Sequence, residues 1–185
     1  MSTRQANSQA LDILNEIKTA TYQNAAQLPL KQSAHPEWQG MGYQVGGLRL
    51  VSPMSEISEI LKLPRLAALP GVKRWVLGIA NVRGRLMPVI DLHDYFSMAP
   101  TLPMAQWRVL VVEDGDLIAG LLVEQSLGIQ HFLEDSFEEP TTEGIESLKP
   151  YVHGVFRHGG RVFYETHLKA ILQDDRFFDV VERTN

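Results

Sequence analysis

Residues 69–92 read LPGVKRWVLGIANVRGRLMPVIDL. Two apolar runs, Val76 to Val82 and Leu86 to Ile90, flank Arg83-Gly84, and a glycine between such runs supplies the positive φ of a tight hairpin turn. Pro88 has no backbone N–H, so its strand is expected at a sheet edge or a bulge. Asp91 follows, placed to cap a short helix that starts directly after the strand.

Similar punctuation recurs on both sides. Tyr43 to Val45 and Leu48 to Val51 are joined by Gly46-Gly47, Arg108 to Glu113 and Leu117 to Leu122 by Asp114-Gly115-Asp116, and Val152 to Phe156 and Arg161 to Tyr164 by His158-Gly159-Gly160. Val109, Val111, Val112 and Ile118 suit a half-buried pleat. Short helices are expected after Asp91, over His167 to Leu172, and over Asp174 to Val181 with Phe177, Phe178 and Val181 on one face. Hairpin, apolar strand and short helix thus occur in residues 41–97 and again in 108–172, a rough internal repeat. Neither half alone is large enough for a comfortable core, so two small barrels packed together are expected. Ahead of them, Leu11, Leu14, Ile17, Tyr22 and Ala25 mark a helix over residues 8–28 that Ser8 can cap and Pro29 stops, with Pro29 to Gly40 as linker.

The chain has 185 residues, 44% of them hydrophobic and 21% charged, so it is long and apolar enough to fold as one domain with an appendage. It contains no cysteine, which removes disulfides, thiolate nucleophiles and sulfur-ligated zinc, and favours a cytoplasmic address. No signal-like start or membrane span is evident. A net charge of −5 opposes non-specific attraction to nucleic acid or anionic lipid, leaving proteins as the expected partners.

The stretch around the turn resembles the signature of the CheW family, the coupling proteins of bacterial chemosensory arrays. Gly78, Asn81, Val82, Arg83, Gly84, Pro88, Val89, Ile90, Asp91 and Leu92 fill it, with Val82 where leucine is usual. Supporting matches are Gly47 to Ile60 with its Ile57-Ser58-Glu59-Ile60 ending, Gly120-Leu121-Leu122-Val123-Glu124, and Tyr151 to Leu172, so the resemblance spans about residues 40–172. Val123-Glu124-Gln125-Ser126 and Thr166-His167-Leu168 depart from the usual pattern.

The resemblance implies a mostly β fold of two SH3-like five-stranded barrels, about residues 40–97 and 104–172 within a domain of residues 40–175. Residues 1–39 would form a helical extension and 176–185 a tail. It implies a non-enzymatic adaptor, without cofactor, that couples the cytoplasmic tip of a methyl-accepting chemoreceptor to a CheA-type histidine kinase. The N-terminal helix and the wording of residues 69–89 point to the system that controls type IV pili and twitching motility, with recruitment to membrane-associated arrays.

Gly78, Asn81, Gly84, Pro88 and Asp91 are the structural signature. Ile57, Glu59, Arg83 and Ile129, with Leu86 and Val89 nearby, are candidates for a partner-binding groove between the barrels. Arg83 is expected to pair with Glu59, because the resemblance sets that strand end beside the turn and an arginine fork suits a carboxylate. That pair could equally serve only to staple the barrel, and an apolar residue of this kind is more often core than contact.

Other chemistries are thinly represented. Asp91-x-His93-Asp94 and Glu165-x-His167 have the local spacing of metal ligands, but no His-x-x-x-His accompanies them, so no metal is expected. Gly-x-Ser-x-Gly and a phosphate-binding loop are absent. The alternative function is a small β-barrel nucleic-acid-binding protein, for which Lys73, Arg74, Arg83, Arg85 and Trp75 would form a basic, aromatic groove.

Overall fold

A computed structural model describes residues 37–140 and 145–182; the helix expected over residues 8–28 lies outside the described residues. In chain order the strands are β1 (Glu37–Val45), β2 (Leu48–Pro53), β3 (Ile57–Lys62), β4 (Leu66–Ala67), β5 (Val76–Val82), β6 (Arg85–Asp91), β7 (Arg108–Asp114), β8 (Leu117–Val123), β9 (Gln125–Leu133), β10 (Phe137–Glu138), β11 (Val152–His158) and β12 (Arg161–Thr166). Among the described residues three short α-helices accompany them: α1 (Leu92–Phe96), α2 (Leu168–Leu172) and α3 (Asp175–Phe178). The protein is mostly β. All four expected hairpins form, β1–β2, β5–β6, β7–β8 and β11–β12. Residues 37–40, expected to belong to the linker, are already strand, because β1 begins at Glu37.

The strands make two six-stranded sheets, ordered β10-β11-β12-β2-β1-β9 and β3-β7-β8-β6-β5-β4. This overturns the division into sequential halves of five strands. The chain leaves the first sheet after β2, builds the whole second sheet from β3 to β8, and returns at β9. Hairpin β7–β8 therefore joins β5–β6 through a parallel pairing of β6 with β8, Val89 with Gly120 to Asp91 with Leu122. The first sheet has its own parallel pair, β12 with β2. A hairpin signal is local; which sheet the hairpin enters depends on which apolar faces meet, and that information is non-local.

Side-chain alternation shows how the core is divided. From β7, Leu110 and Val112 enter a large core shared by both sheets and all three helices, with Tyr43, Leu50, Ile90, Leu121, Tyr95, Leu168 and Phe177. Val109 and Val111 turn the other way, into a cluster of the second sheet with Ala80, Met87, Val89 and Leu122. Residues 109–112 are all buried, so β7 is buried on both faces rather than half-buried. The first sheet holds a matching aromatic cluster in which the Phe132 and Phe156 rings stack at 4.5 Å.

Pro88 does not mark an edge, since β6 runs inside its sheet between β8 and β5. The ladder to β8 begins only at Val89, and a register shift at Val76/Gly78 lies close by on β5.

Asp91 caps α1 as expected: its side chain accepts from the His93 backbone N–H at 2.8 Å and lies 2.7 Å from His93 Nδ1. Asp91→Ala is expected to cost about 1–2 kcal/mol, because it strands a buried N–H. Urea unfolding should show this as a lower midpoint at an unchanged m-value.

The tail is not free over its described part. Lys73 N–H donates to Val180 O at 2.9 Å and Glu182 N–H to Gly71 O at 3.0 Å, and Val72 bridges Val181. Phe177 is thereby buried in the shared core while Phe178 stays 61% exposed.

Candidate partner-binding site

The turn between β5 and β6 places Arg83 and Gly84 both at positive φ, +53° and +82°. Two successive left-handed residues match the twist of a two-residue hairpin, and Gly84 takes this conformation at no steric cost. Asn81 closes the turn by accepting the Gly84 N–H through Oδ1 at 3.0 Å. The tip is thus held from below, and Arg83 is presented from it with a side chain 79% exposed.

Arg83 Nη2 donates to Glu59 Oε1 at 2.7 Å, the pairing that the resemblance implied, through one nitrogen rather than a two-pronged fork. Glu59 stands on β3, the edge strand of the second sheet. On β6, Arg85 makes a second pair with Glu113 at 3.0 Å.

The other candidates separate by environment. Leu86 is 67% exposed, and it rims an apolar depression of about 370 Å³ with Leu69, Ile79, Pro88, Phe178 and Val180. Ile57 is half-buried and packs on the shared core. Val89 is fully buried in a cluster with Met87 and Val109 and offers nothing to a partner, a correction that follows from its face of β6 packing into the second sheet's own core while the Leu86 face stays open. Ile129 is 52% exposed, but on β9, the edge of the other sheet. Phe178 and Leu69 were not among the sequence candidates, because only the return of the tail to residues 71–73 brings Phe178 to this depression.

The basic residues named for nucleic acid are engaged. Lys73 pairs with Asp179, Arg74 with Asp94, Arg83 with Glu59 and Arg85 with Glu113, and Trp75 is buried in the shared core. A phosphate backbone would have to displace a carboxylate from each of these cations.

Of the two metal-like patterns, Asp91-x-His93-Asp94 is pulled apart: Asp94 turns out to Arg74, whereas His93 is buried and stacks on Trp107 at 4.9 Å. His93 instead belongs to a polar network that the sequence showed only as an odd strand ending at Glu124. The Glu124 side chain is fully buried; it accepts from the Thr101 N–H, from Thr101 Oγ1 at 2.8 Å and from Gln44 Nε2 at 2.7 Å, and its Oε1 lies 3.6 Å from His93 Nε2. Burial pushes this carboxyl up, but the hydrogen bonds from Thr101 and Gln44 and the nearby His93 outweigh that and hold it below the usual glutamate range.

A two-sheet β body with short junction helices and a fixed, charged turn tip matches a known family along most of its length: the chain belongs to the CheW-like domain family, whose model covers residues 39–176. It is 44% identical to protein PilI of Pseudomonas aeruginosa over 157 residues, 84% of this chain and 87% of that protein. It is 30% identical to protein FrzA of Myxococcus xanthus over 131 residues, 71% of this chain and 81% of the relative. The fold is shared with the scaffolding protein TtCheW from Thermoanaerobacter tengcongensis, with a TM-score of 0.65 at 21% identity over 74% of this chain and 93% of that one.

Proposed function

We propose that this protein is a non-enzymatic adaptor that couples a chemoreceptor tip to a CheA-type histidine kinase, in the array that governs type IV pilus twitching motility. Family membership and the 44% identity to PilI support the reading, and the exposed Arg83–Glu59 pair on a rigid turn carries it. Each six-stranded sheet is taken as one barrel-like module of the family. The exposed charged tip and the apolar depression beneath Leu86 have the make-up of a protein-docking surface, aliphatic and aromatic anchors inside a polar rim.

The mechanism is mechanical. A rearrangement of the receptor tip alters its contacts with the adaptor, and the kinase shifts between activity states to the extent that those contacts differ in energy between the states. No bond is made or broken in the adaptor. Among the described residues no helix is long and apolar enough to cross a membrane, and the proposed place of action is the cytoplasm, at membrane-associated receptors.

Kinase autophosphorylation measured with receptor and kinase, with and without this protein, tests the role; no change in rate together with no ternary complex would refute it. Arg83→Ala should weaken kinase or receptor binding by about tenfold, while stability changes by less than about 0.5 kcal/mol, as expected for an exposed ion pair. Circular dichroism and urea titration of the same variant separate the two effects. If the variant unfolds, the pair is a staple and not a contact.

A further inference from the structure

The second metal-like pattern, unlike the first, is assembled by the fold. Glu165 lies near the end of β12, and His167, two positions on, is the residue just past the strand from which α2 starts. The register of β11 against β12 shifts between Val152 and Gly154, so His153 is the extra residue of a bulge, a feature that re-aims its side chain. Ligand atoms of His153, Glu165 and His167 consequently lie within 4.8 Å of one another.

We propose that His153, Glu165 and His167 form a binding site for a divalent transition-metal ion of the zinc class. His153 Nδ1 and Glu165 Oε2 are 3.4 Å apart, close to the roughly 3.4 Å between two ligands of a tetrahedral ion with bonds of about 2.1 Å. His167 Nδ1 is engaged by Glu56 Oε1 at 2.7 Å, which leaves Nε2 free to bind. A carboxylate on the far nitrogen of a liganding imidazole is the usual way such a ring is oriented and made more basic. Glu56 is itself held, accepting the Leu168 N–H at 2.6 Å and the Lys169 N–H at 3.3 Å.

The Glu165 side chain is only 8% exposed while that of His153 is 66% exposed, so the buried anion is fixed and the imidazole can rotate in to close the set. A buried carboxylate is costly without a cation beside it, and a bound ion would supply that charge. Imidazole ligands select zinc, nickel, copper or cobalt over magnesium and calcium. His153 and Glu165 line a depression of about 290 Å³ together with Trp38, Glu134 and Phe137, which leaves room on their side for a water in the fourth position. Occupied, it ties the β11 bulge to the start of α2, and through Glu56 to the segment where the chain leaves the first sheet.

The test is calorimetric titration of zinc chloride into the tag-free, chelator-treated full chain. It is paired with visible absorption of the cobalt(II) form, which is intense only for four-coordinate cobalt. One equivalent should bind. His153→Ala should weaken it by at least about 100-fold, since loss of a mere outer-shell partner already costs about 10- to 100-fold. His131→Ala removes a comparable exposed histidine 3.8 Å from Glu37 and should change nothing. Because His153 is exposed, its alanine variant is expected to fold, which circular dichroism checks. Failure of the native chain to bind, equal affinity in His153→Ala, or an equal loss in His131→Ala would each overturn the proposal.

Discussion

Glu124→Ala is expected to lower the free energy of unfolding by about 3 kcal/mol, because three donors lose a charged acceptor and an interior gap is left behind. The residue sits where the chain crosses from β8 back to β9, and its carboxylate draws Gln44 of β1 and Thr101 of the β6–β7 connection to that crossing. Glu124→Gln keeps the shape and weakens the bonds, so a loss of about 1–2 kcal/mol is expected. The pair of variants also has a pH signature. A carboxyl held below its ordinary value of 4.5 in the folded state contributes stability that is present above that value and is lost as pH falls through the folded pKa. Native protein should therefore lose stability on acidification below pH 4.5, and Glu124→Gln should lose less over the same interval. Some slope will persist in the variant. Asp174 is also held low: burial pushes it up, but the Tyr151 hydroxyl and the Arg176 N–H and guanidinium outweigh that. Urea midpoints on both sides of that window measure the difference, and identical slopes for the two proteins would place the acid sensitivity elsewhere.

Gly78→Val should be the most damaging single change in the signature. Gly78 adopts φ +140°, and a Cβ built there would lie 2.4 Å from the Ala67 carbonyl oxygen, a backbone atom that cannot step aside without breaking the pairing of β4 with β5. A β-branched residue is strained in that conformation even without the clash, so a loss above about 3 kcal/mol is expected, seen as insoluble protein or a collapsed urea midpoint. Gly78→Ala is the milder companion and should still fall well short of the native midpoint. By contrast, a Cβ on Gly84 would meet nothing within 4 Å, so a substitution there tests conformation alone. A Gly78→Ala midpoint within about 0.5 kcal/mol of native would show that β4 yields freely, and the contact would then have no structural weight.

Both residues bear on what a sequence discloses. Gly78 was recognisable as part of a signature, but its reason, the approach of the Ala67 backbone, comes from a strand of only two residues. Glu124 was noticeable only as a departure from the usual strand ending. Nothing local reveals that a carboxylate followed by two polar residues becomes fully buried, because its donors lie 23 and 80 positions away. Val89 erred in the opposite direction: the resemblance set it near a contact surface, and its neighbours in space made it core. Arg83 fared better, since the turn that presents it is encoded in the same five residues and Glu59 lies on a strand whose place the resemblance supplied.

The four hairpins, the helices α1 and α3 and the Asp91 cap were set by the amino-acid order alone, since each depends on torsional preference and hydrogen bonding within about ten residues, whereas α2 takes its N-terminal acceptor from the distant Glu56. Tertiary structure alone decided that residues 57–123 form one sheet and residues 37–53 join 125–166 in the other. It alone carried Phe178 to the depression beneath Leu86, and brought the bulged His153 to Glu165 and His167. These outcomes turn on which apolar faces bury one another across long loops, a collective free energy that no single segment contains.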